Sequence, residues 1–185
     1  MFNRTNLLIV GLACASAVLG LGLSLWMRPA PAPLPEPTGT QQILAVGDLS
    51  GAISLPDREG RTRQLSEWRG QLVVLNFWAS WCGPCREEMP MLDQVRPRYA
   101  AQGVEIIGVA AEDASAALAY LQQEPVSYPI LINAPGDPID VSLHFGNRQS
   151  VLPYTALIGR DGRLLDARMG TFSEQALDAW IAPHL

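Results

Sequence analysis

Leu72-Val73-Val74-Leu75-Asn76-Phe77-Trp78 runs into Ala79-Ser80-Trp81-Cys82-Gly83-Pro84-Cys85, and Arg86-Glu87-Glu88-Met89-Pro90 follows. The first of these stretches is rich in β-branched and aromatic side chains and shows no alternation with polar ones. It reads as a central strand covered on both faces. Pro84 suits the first turn of a helix, where its missing N–H would have had no partner. The two cysteines therefore sit where a buried strand meets a helix N-terminus. Free N–H groups and the positive end of the helix dipole stabilise a thiolate at the first of them. Cys82 is the expected nucleophile. Two intervening residues let Cys85 reach back and close a disulfide, Gly83 permits close backbone approach, and Pro84 fixes the local turn.

Outward from this centre the pattern alternates strands with helices, which indicates an α/β fold. Upstream, Ile53 and Leu55, the turn Asp57-Arg58-Glu59-Gly60 and a return strand near Arg61 to Leu65 form a hairpin. Ser66 is expected to cap a short helical turn through Arg69. Downstream, the first long helix runs to about Ala101 and Gly103 ends it. Val104 to Val109 is a second buried strand. Ser115 to Gln123 is helical, with Glu112 and Asp113 read as its cap. Tyr128 to Ile132 is a short strand and Ile139 to Phe145 a short helix. Tyr154 to Ile158 and Leu164 to Met169 are strands joined by Arg160-Asp161-Gly162, a hairpin turn. Ser173 caps a final helix through Trp180.

The 185 residues carry a net charge of -5, and 48% are hydrophobic, enough for one compact domain plus an accessory segment. All 13 basic residues are Arg and are scattered, so no electrostatic footprint for nucleic acid is present. Of the three cysteines, Cys14 lies in an N-terminal apolar run, and the other two form one Cys-x-x-Cys pair. A disulfide scaffold would need more pairs at wider spacing.

Leu7 to Met27 contains no charge. As a helix it spans roughly 31 Å, the thickness of a hydrocarbon core. The reading is an uncleaved anchor over a cleaved signal: a small-x-small site ends at Ala32, but Pro33 would follow the cut. Arg4 and the N-terminal amine face Arg28 across the run, which leans toward a cytoplasmic N-terminus. Cys14 reads as an inert thiol in the membrane; the alternative, a lipoprotein cleavage site, meets Gly11 where Leu is usual. From Pro29 to Pro37 every second residue is proline, a semi-rigid spacer. The expected organisation is an anchor or signal over 1–27, a proline-rich tether over 28–45 and a folded domain over 46–185.

Two other readings of Cys82 and Cys85 stand beside redox chemistry. A metal site needs further Cys or His ligands at suitable spacing, and His144 and His184 are distant in sequence. A static structural disulfide would not call for Trp, Gly and Pro at these places.

With the strand Leu75 to Ser80, the motif through Cys85 and Arg86 to Pro90, the chain resembles the TlpA-like branch of the thioredoxin superfamily. That branch includes the ResA and cytochrome-maturation thioredoxins. Leu152-Pro153-Tyr154-Thr155, Arg160-Asp161-Gly162 and the Leu65-Ser66 to Gly70 pattern match as well, so the resemblance spans about residues 46–185. It implies a thioredoxin fold: a central mixed sheet flanked by helices, with an N-terminal β-hairpin extension and a helical insertion. It implies a thiol:disulfide oxidoreductase whose only redox group is the Cys82–Cys85 disulfide, with no cofactor or metal.

The same resemblance implies a cis bond at Pro153, placing the Leu152 backbone beside Cys82 for an extended substrate; otherwise Pro153 merely starts a strand. It moves the buried carboxylate, an Asp in cytoplasmic thioredoxins where Asn76 stands here, to Glu88. There a raised pKa would make Glu88 a base toward Cys85; the alternative is a solvated residue near a helix N-terminus. Glu87 reads as solvated, Trp78 as core and His144 as structural. Trp81 either shields the disulfide and contacts the partner or simply packs. The implied partners are protein substrates with disulfides or thiols, such as apocytochrome c or copper-site proteins, and a membrane thiol-electron transporter as reductant. The implied place is the cytoplasmic (inner) membrane, single-pass, with the domain facing the periplasm or cell exterior. Gly-Pro between the cysteines is the dipeptide of reducing thioredoxins, whose potential is about -270 mV. A disulfide-forming oxidase and a copper-binding chaperone are the competing functions.

Overall fold

The computed structural model describes residues 41–185. The apolar run Leu7 to Met27, Cys14 and the proline spacer lie outside the described residues. Among the described residues no helix is long and apolar enough to cross a membrane. In chain order the elements are β1 (Ser54–Pro56), β2 (Thr62–Gln64), a 3-10 turn (Leu65–Trp68), β3 (Leu72–Trp78), α1 (Gly83–Ala100), β4 (Val104–Ala110), α2 (Ala114–Gln123), β5 (Ile130–Ile132), α3 (Val141–His144), β6 (Tyr154–Ile158), β7 (Leu164–Met169), α4 (Glu174–Ile181) and a closing 3-10 turn (Ala182–His184).

Every residue of β3 is buried, as a strand without alternation requires. It sends Leu72, Val74 and Trp78 to one face and Val73, Leu75 and Phe77 to the other. β3 pairs in parallel with β4 and antiparallel with β6. With β5 parallel to β4 and β7 antiparallel to β6, the sheet order is β5-β4-β3-β6-β7. The first face is covered by α1, α2 and α4 through Met89, Leu92, Tyr99, Leu121 and Leu177. The second is covered by α3 and the N-terminal hairpin through Val141, Phe145, Leu55 and Trp68. This is the mixed sheet of a thioredoxin fold, with the expected hairpin extension and short helical insertion.

Several local expectations hold. Ser173 accepts the Ala176 N–H at 3.2 Å and caps α4. The β6–β7 turn closes with a Gly162 N–H to Gly159 carbonyl bond of 2.8 Å, and Gly162 takes φ 84°, which a Cβ would resist. Trp78 is fully buried. His144 sets its ring nitrogens 2.7 Å from the Gln42 carbonyl and 3.1 Å from the Ser50 carbonyl, a structural role. Among the described residues, Gln41 already contacts the folded unit through its side chain and the Asp140 backbone, five residues before the Val46 suggested by the sequence.

Other expectations need correction. The short turn after β2 is capped at Gln64, not Ser66: the Glu67 carboxylate accepts the Gln64 N–H at 2.6 Å. The strand expected over Tyr128 to Ile132 starts only at Ile130. Pro129 has no N–H for the ladder, its carbonyl accepts Gly108, and the Arg58 guanidinium takes the Val126 and Tyr128 carbonyls at 3.3 and 2.7 Å. The helix expected over Ile139 to Phe145 is trimmed to Val141–His144, because Asp140 caps it by accepting the Leu143 N–H at 3.0 Å. At α2, Asp113 holds the N-cap position without a side-chain bond, and Glu112 points elsewhere.

Gly108, in the middle of β4, lets three side chains close over it. A Cβ there would lie 2.7 Å from Ile130 Cδ1, 3.0 Å from Tyr128 Cε2 and 3.1 Å from Trp78 Nε1. Gly108→Ala should lower stability by about 1–3 kcal/mol, the usual cost of overpacking a dense core. Urea unfolding followed by tryptophan fluorescence measures it, and an unchanged midpoint would mean the site has slack.

Candidate active site

The end of β3 delivers the chain to a tight turn. The Cys82 N–H donates to the Ala79 carbonyl at 3.0 Å, so Ala79 to Cys82 form a β-turn with Ser80 and Trp81 at its corners. Cys82 then occupies the N-cap of α1 in extended conformation, and its sulfur accepts the Cys85 N–H at 3.2 Å. Pro84 lies in the first turn of α1, as its fixed φ favours. The two sulfurs are bonded, with the Cα atoms 5.3 Å apart.

Burial grades the site from the surface inward. Trp81 is 70% exposed, Cys82 5% and Cys85 1%. Gly83 is half-buried and Pro84 exposed. Of the two sulfurs only Cys82 lies at the helix cap, so the helix dipole and the Cys85 N–H act on it. Trp81 is not packing: it stands out beside the disulfide.

The Leu152–Pro153 bond is cis, and Pro153 is buried. Leu152 packs against the core cluster that contains Cys82 and Cys85. Trp81 and Leu152 line one groove of about 240 Å³ with Ala111, Asp137, Asn147 and Ser150. The Pro153 carbonyl is taken by the Gly170 N–H at 2.9 Å, whereas among the described residues the Leu152 N–H and carbonyl have no partner. Of the residues expected to bind a substrate, Trp81 and Leu152 thus share one groove, Pro153 follows Leu152 directly, and Gly83, which precedes Pro84, lines a second groove with Arg86 and Tyr120.

Glu88 is 3% exposed, one helical turn beyond Cys85 on the buried side of α1. Its carboxylate accepts the Phe172 N–H at 2.6 Å and the Asn76 side-chain N–H at 3.2 Å. Asn76 also donates to Thr155 Oγ1 at 3.1 Å, tying β3 and β6 to the carboxylate. Burial pushes the Glu88 carboxyl above its ordinary range. The Phe172 and Asn76 hydrogen bonds and the positive Arg168 pull it part of the way back. Glu87, its sequence neighbour, is exposed, as expected.

Two contributors escaped the sequence reading. Glu112, read as a cap for α2, instead accepts the Ser80 N–H at 2.6 Å and the Ser80 hydroxyl at 2.8 Å. Asn147, fully buried, holds the segment ahead of Leu152. Its amide donates to the Val151 carbonyl at 2.9 Å, and its oxygen accepts the Val151 N–H at 3.1 Å. Asn147 lies in Gly146-Asn147-Arg148-Gln149-Ser150, where composition signals only a loop. Both roles depend on partners brought close by the fold.

Residues 46–167 match the model of the AhpC/TSA family. The chain is 34% identical over 136 residues to the thiol-disulfide oxidoreductase ResA of Geobacillus kaustophilus, covering 73% of this chain and 75% of that protein. It is 32% identical over 142 residues to the protein of the same name from Halalkalibacterium halodurans, covering 76% and 78%. Among solved structures it is similar to a Chlorobium tepidum protein described as a thiol:disulfide interchange protein DsbE. That likeness has TM-score 0.68 and 30% identity, over 76% of this chain and 98% of the other. A mixed sheet, a disulfide at the cap of its first long helix and these likenesses agree, and the chain belongs to the AhpC/TSA family, within the ResA-like branch of thiol:disulfide oxidoreductases in the thioredoxin superfamily.

Proposed function

We propose that this oxidoreductase works outside the cytoplasm as a reductase of selected protein disulfides, such as those met in cytochrome c or copper-site maturation. The observation that carries the proposal is the placement of Cys82. It caps a helix beside an exposed tryptophan and is bonded to a deeper cysteine, and that tryptophan shares a groove with Leu152, whose backbone N–H and carbonyl have no partner among the described residues.

In the reduced protein the Cys82 thiolate attacks one sulfur of a partner disulfide. The other partner sulfur leaves as a thiolate and takes up a proton, and a mixed disulfide forms. The partner chain pairs with the Leu152 backbone, while Trp81, Gly83, Pro84 and Pro153 shape the surface it meets. Glu88 accepts the Cys85 proton, directly or through one water, and Cys85 then attacks Cys82. The partner leaves with both cysteines reduced, and the Cys82–Cys85 disulfide holds the two electrons' worth of oxidation. A membrane thiol-electron transporter restores the dithiol. No cofactor or metal is called for, because the Cys82/Cys85 pair itself carries the electrons, two as the dithiol and none as the disulfide.

Residues 1–27 anchor the chain in the cytoplasmic (inner) membrane in a single pass. Residues 28–40 form the tether, and the redox domain, which Gln41 and Leu44 already join, faces the periplasm or cell exterior. Gly83-Pro84 between the cysteines supports reduction over oxidation.

Cys82→Ser should abolish insulin reduction, and Cys85→Ser should accumulate mixed disulfides with partners in the native cell. Non-reducing electrophoresis and mass spectrometry read both; full activity in Cys82→Ser would refute the assignment of the nucleophile. Titration against glutathione should give a reducing potential, and a strongly oxidising one would turn the protein into a disulfide-forming oxidase.

For Glu88→Gln, the resolving step should slow by about a hundredfold or more, the usual range for loss of a general base. The limb of the pH profile that rises as Glu88 loses its proton should vanish. Stability has the opposite sign. A carboxyl raised in the folded state contributes stability at pH below its ordinary value, and this is lost as pH rises through the raised one. Glu88→Gln should therefore stabilise the oxidised protein more at pH 7 than at pH 4, read from urea midpoints. Equal shifts at both would mean Glu88 is not held high.

A further inference from the structure

Glu112 is 5% exposed, and among the described residues no Arg or His forms an ion pair with it. A carboxylate taken this far from water needs strong compensating hydrogen bonds. Both that it has come from one residue: Oε1 accepts the Ser80 N–H at 2.6 Å, and Oε2 accepts the Ser80 hydroxyl at 2.8 Å. Charged acceptors make the shorter and stronger hydrogen bonds of proteins.

The donor's position gives the contact its meaning. Ser80 is the first corner of the β-turn that the Cys82 N–H closes on the Ala79 carbonyl. A β-turn leaves the N–H of that corner without an internal partner. Glu112 supplies one. It stands just past β4, where the Ala111 N–H donates to the Trp78 carbonyl at 2.8 Å and extends the β3–β4 pairing by one rung. The corner after Ser80 is Trp81, and the residue after that is Cys82.

We infer that Glu112 is a positioning residue for the exchange reaction: by fastening Ser80 to the end of β4, it fixes the turn that presents Trp81 and Cys82 to a partner disulfide. Thiol–disulfide exchange needs three sulfurs nearly in line, so a small displacement of Cys82 costs rate even when the thiol itself is unchanged. This rests on the assignment of Cys82 as the attacking thiol.

The test compares three variants, with reduced full-length protein and insulin as the probe disulfide. Glu112→Ala removes both acceptors. Glu112→Gln keeps both contacts without the charge, since its oxygen accepts the Ser80 N–H while its amide donates to the Ser80 oxygen. Ser80→Ala removes only the hydroxyl bond. The expected second-order rates are about tenfold lower for Glu112→Ala, within about twofold of wild type for Glu112→Gln, and about threefold lower for Ser80→Ala, the scale set by small misplacements of a reacting group. A role confined to stability would shift the urea midpoint and leave these rates alone. Wild-type rates in Glu112→Ala, or Gln as slow as Ala, would overturn the inference. If Glu112→Ala does not fold, a wild-type rate in Ser80→Ala overturns it. Wild-type protein unable to reduce insulin would instead strike at the reaction itself.

Discussion

Cys82 Sγ receives the Cys85 N–H at the first turn of α1, and the surrounding structure holds that contact in place. A sulfur at a helix cap feels unpaired N–H groups and the aligned peptide dipoles behind them. That field has value for chemistry only if the helix start cannot drift. Three restraints fix it. β3, buried between two layers, ends rigidly at Trp78; the Ala79–Cys82 turn closes with its own hydrogen bond; and α1 is packed along its length by Met89, Leu92 and Tyr99. Reactivity at the surface is thus a property of the core beneath it.

Two buried carboxylates flank this start and are satisfied in the same manner. Glu88 and Glu112 each take a backbone N–H at 2.6 Å from a segment remote in sequence, Phe172 in one case and Ser80 in the other. Neither is neutralised by a cation at contact distance among the described residues. Glu88 sits on the inner side, among Asn76, Thr155 and the deep cysteine, where its proton affinity is raised. Glu112 sits beyond the sheet edge of the turn and holds geometry. One chemical group thus stands in two settings: Glu88 lies one helical turn from the deep cysteine and takes Asn76 and a peptide N–H, whereas Glu112 takes both donors of a single serine.

Most of the layout was legible because it rests on local rules. The unbroken apolar run of β3, Pro84 in the first turn of α1, Ser173 before α4 and Arg160-Asp161-Gly162 between β6 and β7 each state their conformation within a few residues. Glu88 and Glu87 were separable only through the family resemblance, since adjacent identical residues differ by which face of the helix they occupy. Glu112 and Asn147 were not legible. Glu112 precedes a helix, where an acid usually caps, and its true partner is Ser80, brought near by β3–β4 pairing. The late start of β5 depended on Pro129 together with Arg58, which reaches across from the hairpin. Sequence spacing carries no trace of such a contact.

Arg58 has a consequence of a different kind. β5 is the outermost strand on its side of the sheet, and an outermost strand with a bare row of peptide groups invites a second chain to add itself. Here Asp57 bridges Leu131 on that open side, and the Arg58 guanidinium occupies the carbonyls just ahead of it. The N-terminal hairpin therefore acts as a guard rail, denying neighbouring molecules a template for fibril-like stacking. Damage that unlatches the hairpin would expose the protein to clumping and bare the face of β3 that Leu55 and Trp68 cover.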